Sequence, residues 1–318
     1  MILSICIPTY NRAMYLKRNI ELLIKFIRKN HLEKLIEIII SNNNSNDNTE
    51  SILRKYQNED ITILIFNQKF SLKIQENFIF VANKSSSKYF MWLGDDDYIE
   101  EKYLLKVLKI LIENETQDGI LCILPSNIPI NTKGKILNSK IKKTLKNEII
   151  DKGFKNCMEN SYRACQMSGL VFHKKVINEY LKRKVNNLYP FIFFYCFSSL
   201  NGKTYSVVDC PVKVTHGEKK YWNYGKDGLI NDIFDNYKKL TEISYYQRVV
   251  LEIYFLFIHK WRYLQYKYKI FYVYLELLKI NNMTIITKIF LAPIILLGVF
   301  CKIKNRIREM IQFSDVSK

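Results

Sequence analysis

Residues 94–97 read Gly-Asp-Asp-Asp, directly after the apolar run Tyr89–Leu93. Three adjacent carboxylates repel one another, so a strand end gains nothing structural from them unless a cation sits among them. Hard divalent ions such as Mg²⁺ and Mn²⁺ choose such oxygen donors and commonly bind through one or two carboxylates plus the phosphate oxygens of a substrate. Alternate side chains of an extended or turning backbone share a side, which aims Asp95 and Asp97 at one ligand and Asp96 elsewhere. The structural alternative is a solvated acidic turn capping a helix that begins near Ile99. The triplet by itself does not separate the two.

The surrounding elements do. Leu3–Pro8 reads as a short buried strand, followed by Thr9-Tyr10-Asn11-Arg12 and a helix with Leu16, Ile20, Leu23 and Ile27 on one face. Ile36–Ile40 is a second strand, and the polar loop Ser41–Asp47 leads into a helix that Asp47 or Asn48 can cap. Ile61–Phe66 is a third strand, Lys73–Ala82 a helix, and the fourth strand carries the aspartates. An amphipathic helix through Tyr103, Leu104, Val107, Leu108 and Leu111 precedes a fifth strand at Gly119–Leu124. Strands alternating with helices predict an α/β fold with a parallel, doubly wound sheet, whose ligands bind beyond the carboxyl ends of the strands. Thr9–Arg12, Ser41–Asp47 and Gly94–Asp97 all follow such ends, so they are expected to share one crevice. Neither Gly-x-Gly-x-x-Gly nor Gly-x-x-x-x-Gly-Lys occurs, so phosphate would be held through a metal rather than by a glycine cradle.

Beyond residue 125 the pattern loosens. Asn131–Ile150 is a hairpin or mobile loop, Ser168–His173 a short strand, Val176–Lys184 a helix, and the aromatic stretch Tyr189–Leu200 a buried helix. Tyr205–Val214 is a strand broken by Pro211, and His216 follows it either as a surface loop residue or as a metal ligand.

Lys and Arg number 49 against 30 Asp and Glu, a net charge of +19. That excess suits a phosphate-bearing substrate or an anionic membrane surface, and no zinc spacing or RNA-binding signature favours nucleic acid. The 7 cysteines are dispersed, as expected of reduced thiols in a cytoplasmic protein. No basic, apolar leader precedes the first strand, which points to a cytosolic catalytic part. The final third changes character. Tyr245–Leu278 is helical and aromatic with Lys260, Arg262, Lys267 and Lys269 interleaved, Ile285–Phe300 is almost wholly apolar, and Lys302, Lys304, Arg306 and Arg308 follow. Interrupted by Lys288 and Pro293, the apolar run suits a segment lying in the membrane plane, with a single span and a core helix as alternatives.

Ser4-Ile5-Cys6-Ile7-Pro8-Thr9-Tyr10-Asn11-Arg12, the Ser41–Asp47 loop with Asn48-Thr49, and Leu93-Gly94-Asp95-Asp96-Asp97 resemble, in this order, the motifs of family 2 glycosyltransferases with the GT-A fold. The Gly-Asp-Asp-Asp form is similar to the bacterial surface-polysaccharide, abequosyltransferase-like group. The resemblance implies a nucleotide-sugar-binding half over 1–125 and an acceptor half over 126–225, while the residues themselves mark a helical membrane-associating region over 226–318. It implies that Pro8, Thr9, Tyr10, Asn11, Arg12, Asn43, Asn77, Asp95 and Asp96 lie at the donor, Asn43 standing where relatives have an aspartate. It also implies that Asp95 and Asp97, with His216 as a third ligand, hold Mn²⁺ or Mg²⁺. For the catalytic base the family uses a carboxylate in the second half. No Asp or Glu occurs between Glu179 and Asp209, so Asp151, Glu159, Asp209 and Glu218 stay open as candidates.

The resulting expectation is a metal-dependent, inverting transferase. It moves a sugar from a nucleoside diphosphate, UDP first, to a lipid-linked or cell-surface glycan in capsule, lipooligosaccharide or O-antigen assembly. It would sit at the cytoplasmic face of the inner membrane, peripheral or monotopic. The alternatives are a nucleotidyltransferase-like enzyme and a non-catalytic membrane-associated scaffold retaining the fold.

Overall fold

The computed structural model describes residues 1–114, 119–138, 145–216, 228–259 and 270–301. The chain divides into two compact units, Met1–Asn223 and Tyr224–Lys318. In the first, the described strands are β1 (Leu3–Thr9), β2 (Ile36–Asn42), β3 (Ile63–Asn67), β4 (Tyr89–Trp92), β5 (Ile120–Ile130), β6 (Glu148–Ile150), β7 (Val171–His173) and β8 (Lys203–Thr215). They form one sheet in the order β3-β2-β1-β4-β7-β5-β8-β6. β3, β2, β1 and β4 are parallel, as the alternation of strand and helix requires. After β4 the run of parallel neighbours is interrupted. β7 inserts antiparallel between β4 and β5, and β6 runs antiparallel to β8 at the far edge. The sheet is therefore mixed, though mostly parallel.

The helices of this unit are α1 (Ala13–Lys29), α2 (Thr49–Leu53), α3 (Ile74–Asn83), α4 (Glu101–Glu113), α5 (Phe154–Asn160), α6 (Lys175–Lys182) and α7 (Pro190–Asn201). Alternation along β4 explains why its whole run is apolar. Tyr89 and Met91 belong to the aliphatic core shared with Leu16, Ile20 and Leu23 of α1 and Leu104 and Leu108 of α4. Phe90 and Trp92 face the other way, into an aromatic core where Trp92 packs on Phe194 of α7 at 4.8 Å and Phe90 on Phe172 at 5.9 Å. The strand is thus clamped on both faces, and the turn that follows it has a rigid base.

β8 continues through Pro211 rather than breaking there. The ladder to β5 slips instead, from Pro125 opposite Val207 to Asn127 opposite Val212, so the proline falls in a bulged stretch.

The second unit contains α8 (Gly228–Lys238), α9 (Tyr245–Ile258) and shorter helices over Ile270–Leu278 and Ile285–Ile289, with residues 291–301 also helical. Phe234 and Phe255 pack edge to face at 5.9 Å. The buried Glu252 accepts from Arg248 Nε at 2.9 Å and from Thr284 N and Oγ1 at 2.9 and 2.7 Å, which fixes the start of the Ile285–Ile289 helix. Among the described residues no helix is long and apolar enough to cross a membrane. Lys260, Arg262, Lys267, Lys269 and the basic run Lys302–Arg308 lie outside the described residues.

Candidate active site

The register of the sheet brings the site together. Cys6 is opposite Trp92, so Thr9, at the end of β1, reaches the level of the acidic turn. Thr9 Oγ1 donates to Asp95 Oδ2 at 2.7 Å. Arg12 Nη1 lies 3.2 Å from Asp95 Oδ1 and 2.5 Å from Asp96 Oδ2. Asp97 is held from the far half of the unit: Ser168 Oγ donates to Oδ2 at 2.5 Å, Gln166 Nε2 to Oδ2 at 3.1 Å, and Thr215 N to Oδ1 at 2.8 Å. Thr215 Oγ1 also donates to the Asp96 carbonyl. Ends of β1, β4 and β8 thus meet at one acidic turn.

The backbone of that turn is fixed as firmly as its side chains. Asn19, buried in α1, donates through Nδ2 to the carbonyls of Gly94 at 3.0 Å and Asp97 at 2.9 Å. Gly94 N donates to Ser168 Oγ at 3.0 Å, and a Cβ at this position would stand 3.1 Å from Asp97 Oδ2 and 3.2 Å from Ser168 Oγ. Glycine is what lets Ser168 close on the carboxylate.

The first-half loops are tied to each other as well. Asn11, at φ 53°, donates N–H to Ser45 Oγ at 2.9 Å and accepts from Asn46 N at 2.7 Å through Oδ1. Asp47 accepts from Ala13 N at 3.0 Å, capping α1, and from Thr49 N at 3.0 Å, capping its own helix α2. Asn43 spends both ends of its amide on the main chain of Leu72, at 2.7 and 3.0 Å. Asn77 accepts from Ser41 Oγ at 2.6 Å. Pro8 is buried in β1, while Tyr10 leaves the strand 37% exposed.

Burial dominates the electrostatics. It pushes both Asp95 and Asp97 well above the usual carboxylate range. For Asp95 the Arg12 guanidinium opposes the rise and Asp96 adds to it. For Asp97 repulsion from Asp96 adds to burial, and the Ser168 and Thr215 donors oppose it. Arg12 pairs with Asp95 and Asp96, whereas the donors bonded to Asp97 are neutral, so negative charge is left over in a desolvated place. The donor set fits a hard divalent ion: both carboxylates keep lone pairs that these hydrogen bonds do not use. Among the described residues no group of three His, Cys, Asp or Glu side chains is arranged to hold a metal. A cation here would draw on two carboxylates and take its other ligands from phosphate and water, the habit of Mg²⁺.

The remaining candidates are scattered. His216 follows Thr215, is exposed, and uses its main-chain N–H on the Ile130 carbonyl at 2.8 Å. Asp209 pairs with Lys106 Nζ at 2.7 Å. It sits six residues before Thr215 on β8, a separation of roughly 20 Å along a strand. Glu159 is exposed on α5, and Asp151 is exposed near Lys203. Glu218 lies outside the described residues. Sequence reasoning missed Asn19, Gln166, Ser168 and Thr215. Asn19 left a trace, a polar residue among the apolar positions Leu16, Ile20 and Leu23 of α1, whereas the others contact the turn only through the tertiary fold.

Residues 4–181 match the family model described as glycosyl transferase family 2. The chain is 32% identical over 123 residues to abequosyltransferase RfbV of Salmonella typhimurium, a match covering 38% of this chain and 35% of that protein. It is 32% identical over 96 residues to the GalNAc(5)-diNAcBac-PP-undecaprenol beta-1,3-glucosyltransferase of Campylobacter jejuni, covering 30% of this chain and 29% of that one. The matched stretch thus spans about a third of each curated relative. In fold, the chain is similar to S. aureus TarS in complex with UDP-GlcNAc, with a TM-score of 0.64 at 14% identity over 84% of this chain and 73% of that one. It is also similar to the mannosyltransferase PcManGT of Pyrobaculum calidifontis in complex with GDP-Man and Mn²⁺, with a TM-score of 0.55 at 10% identity over 82% and 71% of the two chains. A mostly parallel sheet with its polar strand ends on one acidic turn, and a family match over more than half its length, make this chain a member of glycosyl transferase family 2.

Proposed function

We propose that the protein is a cation-dependent, inverting glycosyltransferase that passes a sugar from a nucleoside diphosphate to a lipid-linked glycan acceptor. The observation that carries this reading is the desolvated Asp95–Asp97 pair, short of positive charge and ringed by the ends of β1, β4 and β8. Asp95 and Asp97 would hold Mn²⁺ or Mg²⁺, which when bound neutralises the diphosphate as the glycosidic bond breaks. The chain's own residues do the rest. Thr9 orients the Asp95 carboxylate, Ser168 and the Thr215 N–H orient Asp97, and Arg12 supplies a second positive charge beside the leaving group. The exposed ring of Tyr10 borders the nucleobase, with Pro8, Asn11, Asn43 and Asn77 shaping the loops around it. The base that deprotonates the acceptor hydroxyl is assigned to none of Asp151, Glu159, Asp209 and Glu218.

The nucleotide sugars named with TarS and PcManGT support a nucleoside-diphosphate donor, and the PP-undecaprenol in the name of the Campylobacter relative supports a lipid-linked acceptor. A peripheral position at the cytoplasmic face of a bacterial membrane follows from that acceptor.

Donor hydrolysis and isothermal titration with UDP-, GDP- and dTDP-sugars, each with and without Mn²⁺, test the reading. Cation-dependent turnover that vanishes in Asp97→Ala is expected. Nucleotide-sugar binding with no turnover on bacterial lipid extracts would instead leave a scaffold.

A further inference from the structure

Along Ile285–Phe300 every exposed position is apolar. Ile285, Ile289, Phe290, Leu296, Leu297 and Phe300 are each between 50% and 72% exposed. Ile285 and Ile289 lie about one turn apart on the first helical segment, and Leu296, Leu297 and Phe300 recur at helical spacing on the segment over 291–301, opposite its buried residues. The opposite side is already used: Thr287, Leu291, Ile294 and Ile295 are buried, and Thr284 is bonded to Glu252. A helix of ordinary surface composition looks different. The exposed positions of α1 are Met14, Arg18, Glu21, Lys25, Arg28 and Lys29, five of them charged.

We propose that these exposed positions are the face by which the second unit inserts into an anionic lipid bilayer, lying in the membrane plane. Length and charge select that occupant. Sixteen residues make a helical path of roughly 24 Å, short of the ~30 Å hydrocarbon core, so the stretch does not span. From Leu277 to Arg308 the sequence contains no Asp or Glu but has Lys279, Lys288, Lys302, Lys304, Arg306 and Arg308. Exposed apolar positions with cations around them are the composition of an interfacial helix, whose cations meet anionic headgroups. A second copy of the chain is the poorer occupant, because the same cations would oppose each other across the contact and each copy carries a net +19. The inference deepens the peripheral membrane placement proposed above and rests on it for its purpose.

The experiment is co-sedimentation of the full-length protein with vesicles of phosphatidylcholine alone or mixed with phosphatidylglycerol. The wild type is expected to pellet with the mixed vesicles, less so as NaCl is raised. The pair Leu296→Glu/Phe300→Glu should lower that partition by at least about tenfold, while Leu296→Ile/Phe300→Leu and the control Leu181→Glu, on α6, retain it. Unchanged circular-dichroism melts show that the Glu pair folds. Equal pelleting of wild type and the Glu pair overturns the proposal. So does a dimer in sedimentation velocity that the Glu pair dissolves while vesicles stay unbound. UDP-sugar hydrolysis without vesicles is read in parallel. Vesicle binding by a protein that hydrolyses no donor leaves this face standing and removes the transferase reading. Hydrolysis without vesicle binding does the reverse.

Discussion

Two buried carboxylate sites sit at opposite ends of the same strands, and they have been solved in opposite ways. Glu37, near the start of β2, is 1% exposed, and Asp97, past the end of β4, is 5% exposed. Burial pushes both upward. Glu37 nonetheless ends below its usual range, because Ser4 Oγ donates to it along with Ser86 N and Oγ at 2.8 Å and Ser87 Oγ and N at 3.2 and 3.3 Å. The groups that bond to it are serines, with no second acid among them. Asp97 has three donors but also the like charges of Asp96 and Asp95, and it stays high. Both are shut off from solvent, Asp97 the more deeply; what differs as well is whether the protein itself closes the charge. The Glu37 end is complete and holds β1, β2 and the approach to β4 together. The Asp95–Asp97 end is left short of positive charge, which is what a site that must accept a cation and a diphosphate requires.

The sharpest break of this comparison is a pair of isosteric changes. Asp97→Asn removes a charge that folding strains to bury, so turnover of donor should fall on the order of 10²-fold or more while the melting temperature holds or rises. Glu37→Gln should do the converse. Its activity at low temperature stays near wild type, and chemical denaturation shows a loss of about 2 kcal/mol as charge-assisted bonds from the serines weaken. Urea titrations and single-temperature rates of the two variants decide it. If Asp97→Asn unfolds early and Glu37→Gln is inactive but stable, the two ends have been assigned the wrong way round.

Much of this was legible before the fold was known, for reasons that are local. Apart from Ser4 and Glu37, the runs Leu3–Pro8, Ile36–Ile40 and Tyr89–Leu93 are apolar on both faces, the pattern of a covered parallel strand. Their polar sequels had to fall at one sheet edge. β7 was legible as a strand but not as an antiparallel insertion, because three residues carry no signal of direction. The continuity of β8 through Pro211 depended on where the β5 ladder has a gap, which no sequence window reports. Ser168, Gln166 and Thr215 sit 71, 69 and 118 residues from Asp97, and their assignment needed the register of β4, β7 and β8. Ser86 and Ser87 are visible in the sequence, yet their partner Glu37 is 49 and 50 residues earlier.

The same contrast predicts two pH windows of opposite sign. Asp95 is raised to about 6 and Asp97 to about 7. The unfolded chain releases those protons near 4, so between the two limits the folded state holds more protons than the unfolded one. Stability of the cation-free protein should therefore fall as pH rises from about 5 to about 7.5. Asp97→Asn should flatten that slope, and so should saturating Mn²⁺ with donor, since the cation takes the proton's place. Glu37 works in the other direction. Its contribution is present above the unfolded value near 4.3 and is lost only as pH falls through its lower folded value. Melts of wild type, Asp97→Asn and Glu37→Gln from pH 3 to 8 separate the windows. An unchanged slope between 5 and 7.5 in Asp97→Asn would remove the claim that this end carries the excess charge.

The smallest effect concerns Arg12, the internal cation of the acidic turn. Its guanidinium lies 3.2 Å from Asp95 and 2.5 Å from Asp96, with 15% of the side chain exposed. Such a charge works twice: it competes with an incoming cation for Asp95 and attracts the diphosphate that the cation brings. Arg12→Ala should therefore tighten Mn²⁺ binding without donor by roughly three- to tenfold, the size of a partly screened pair, and raise the KM for donor. Arg12→Lys should return the KM part of the way, since an ammonium keeps the charge but not the planar set of guanidinium donors. Electron paramagnetic resonance counts free Mn²⁺ directly, so the first half is read without turnover. Added salt should shrink the gain. If Mn²⁺ binds more weakly to Arg12→Ala, the arginine holds the carboxylates in place for the cation instead of competing with it, and the acidic turn is as finished on its own as the Glu37 end.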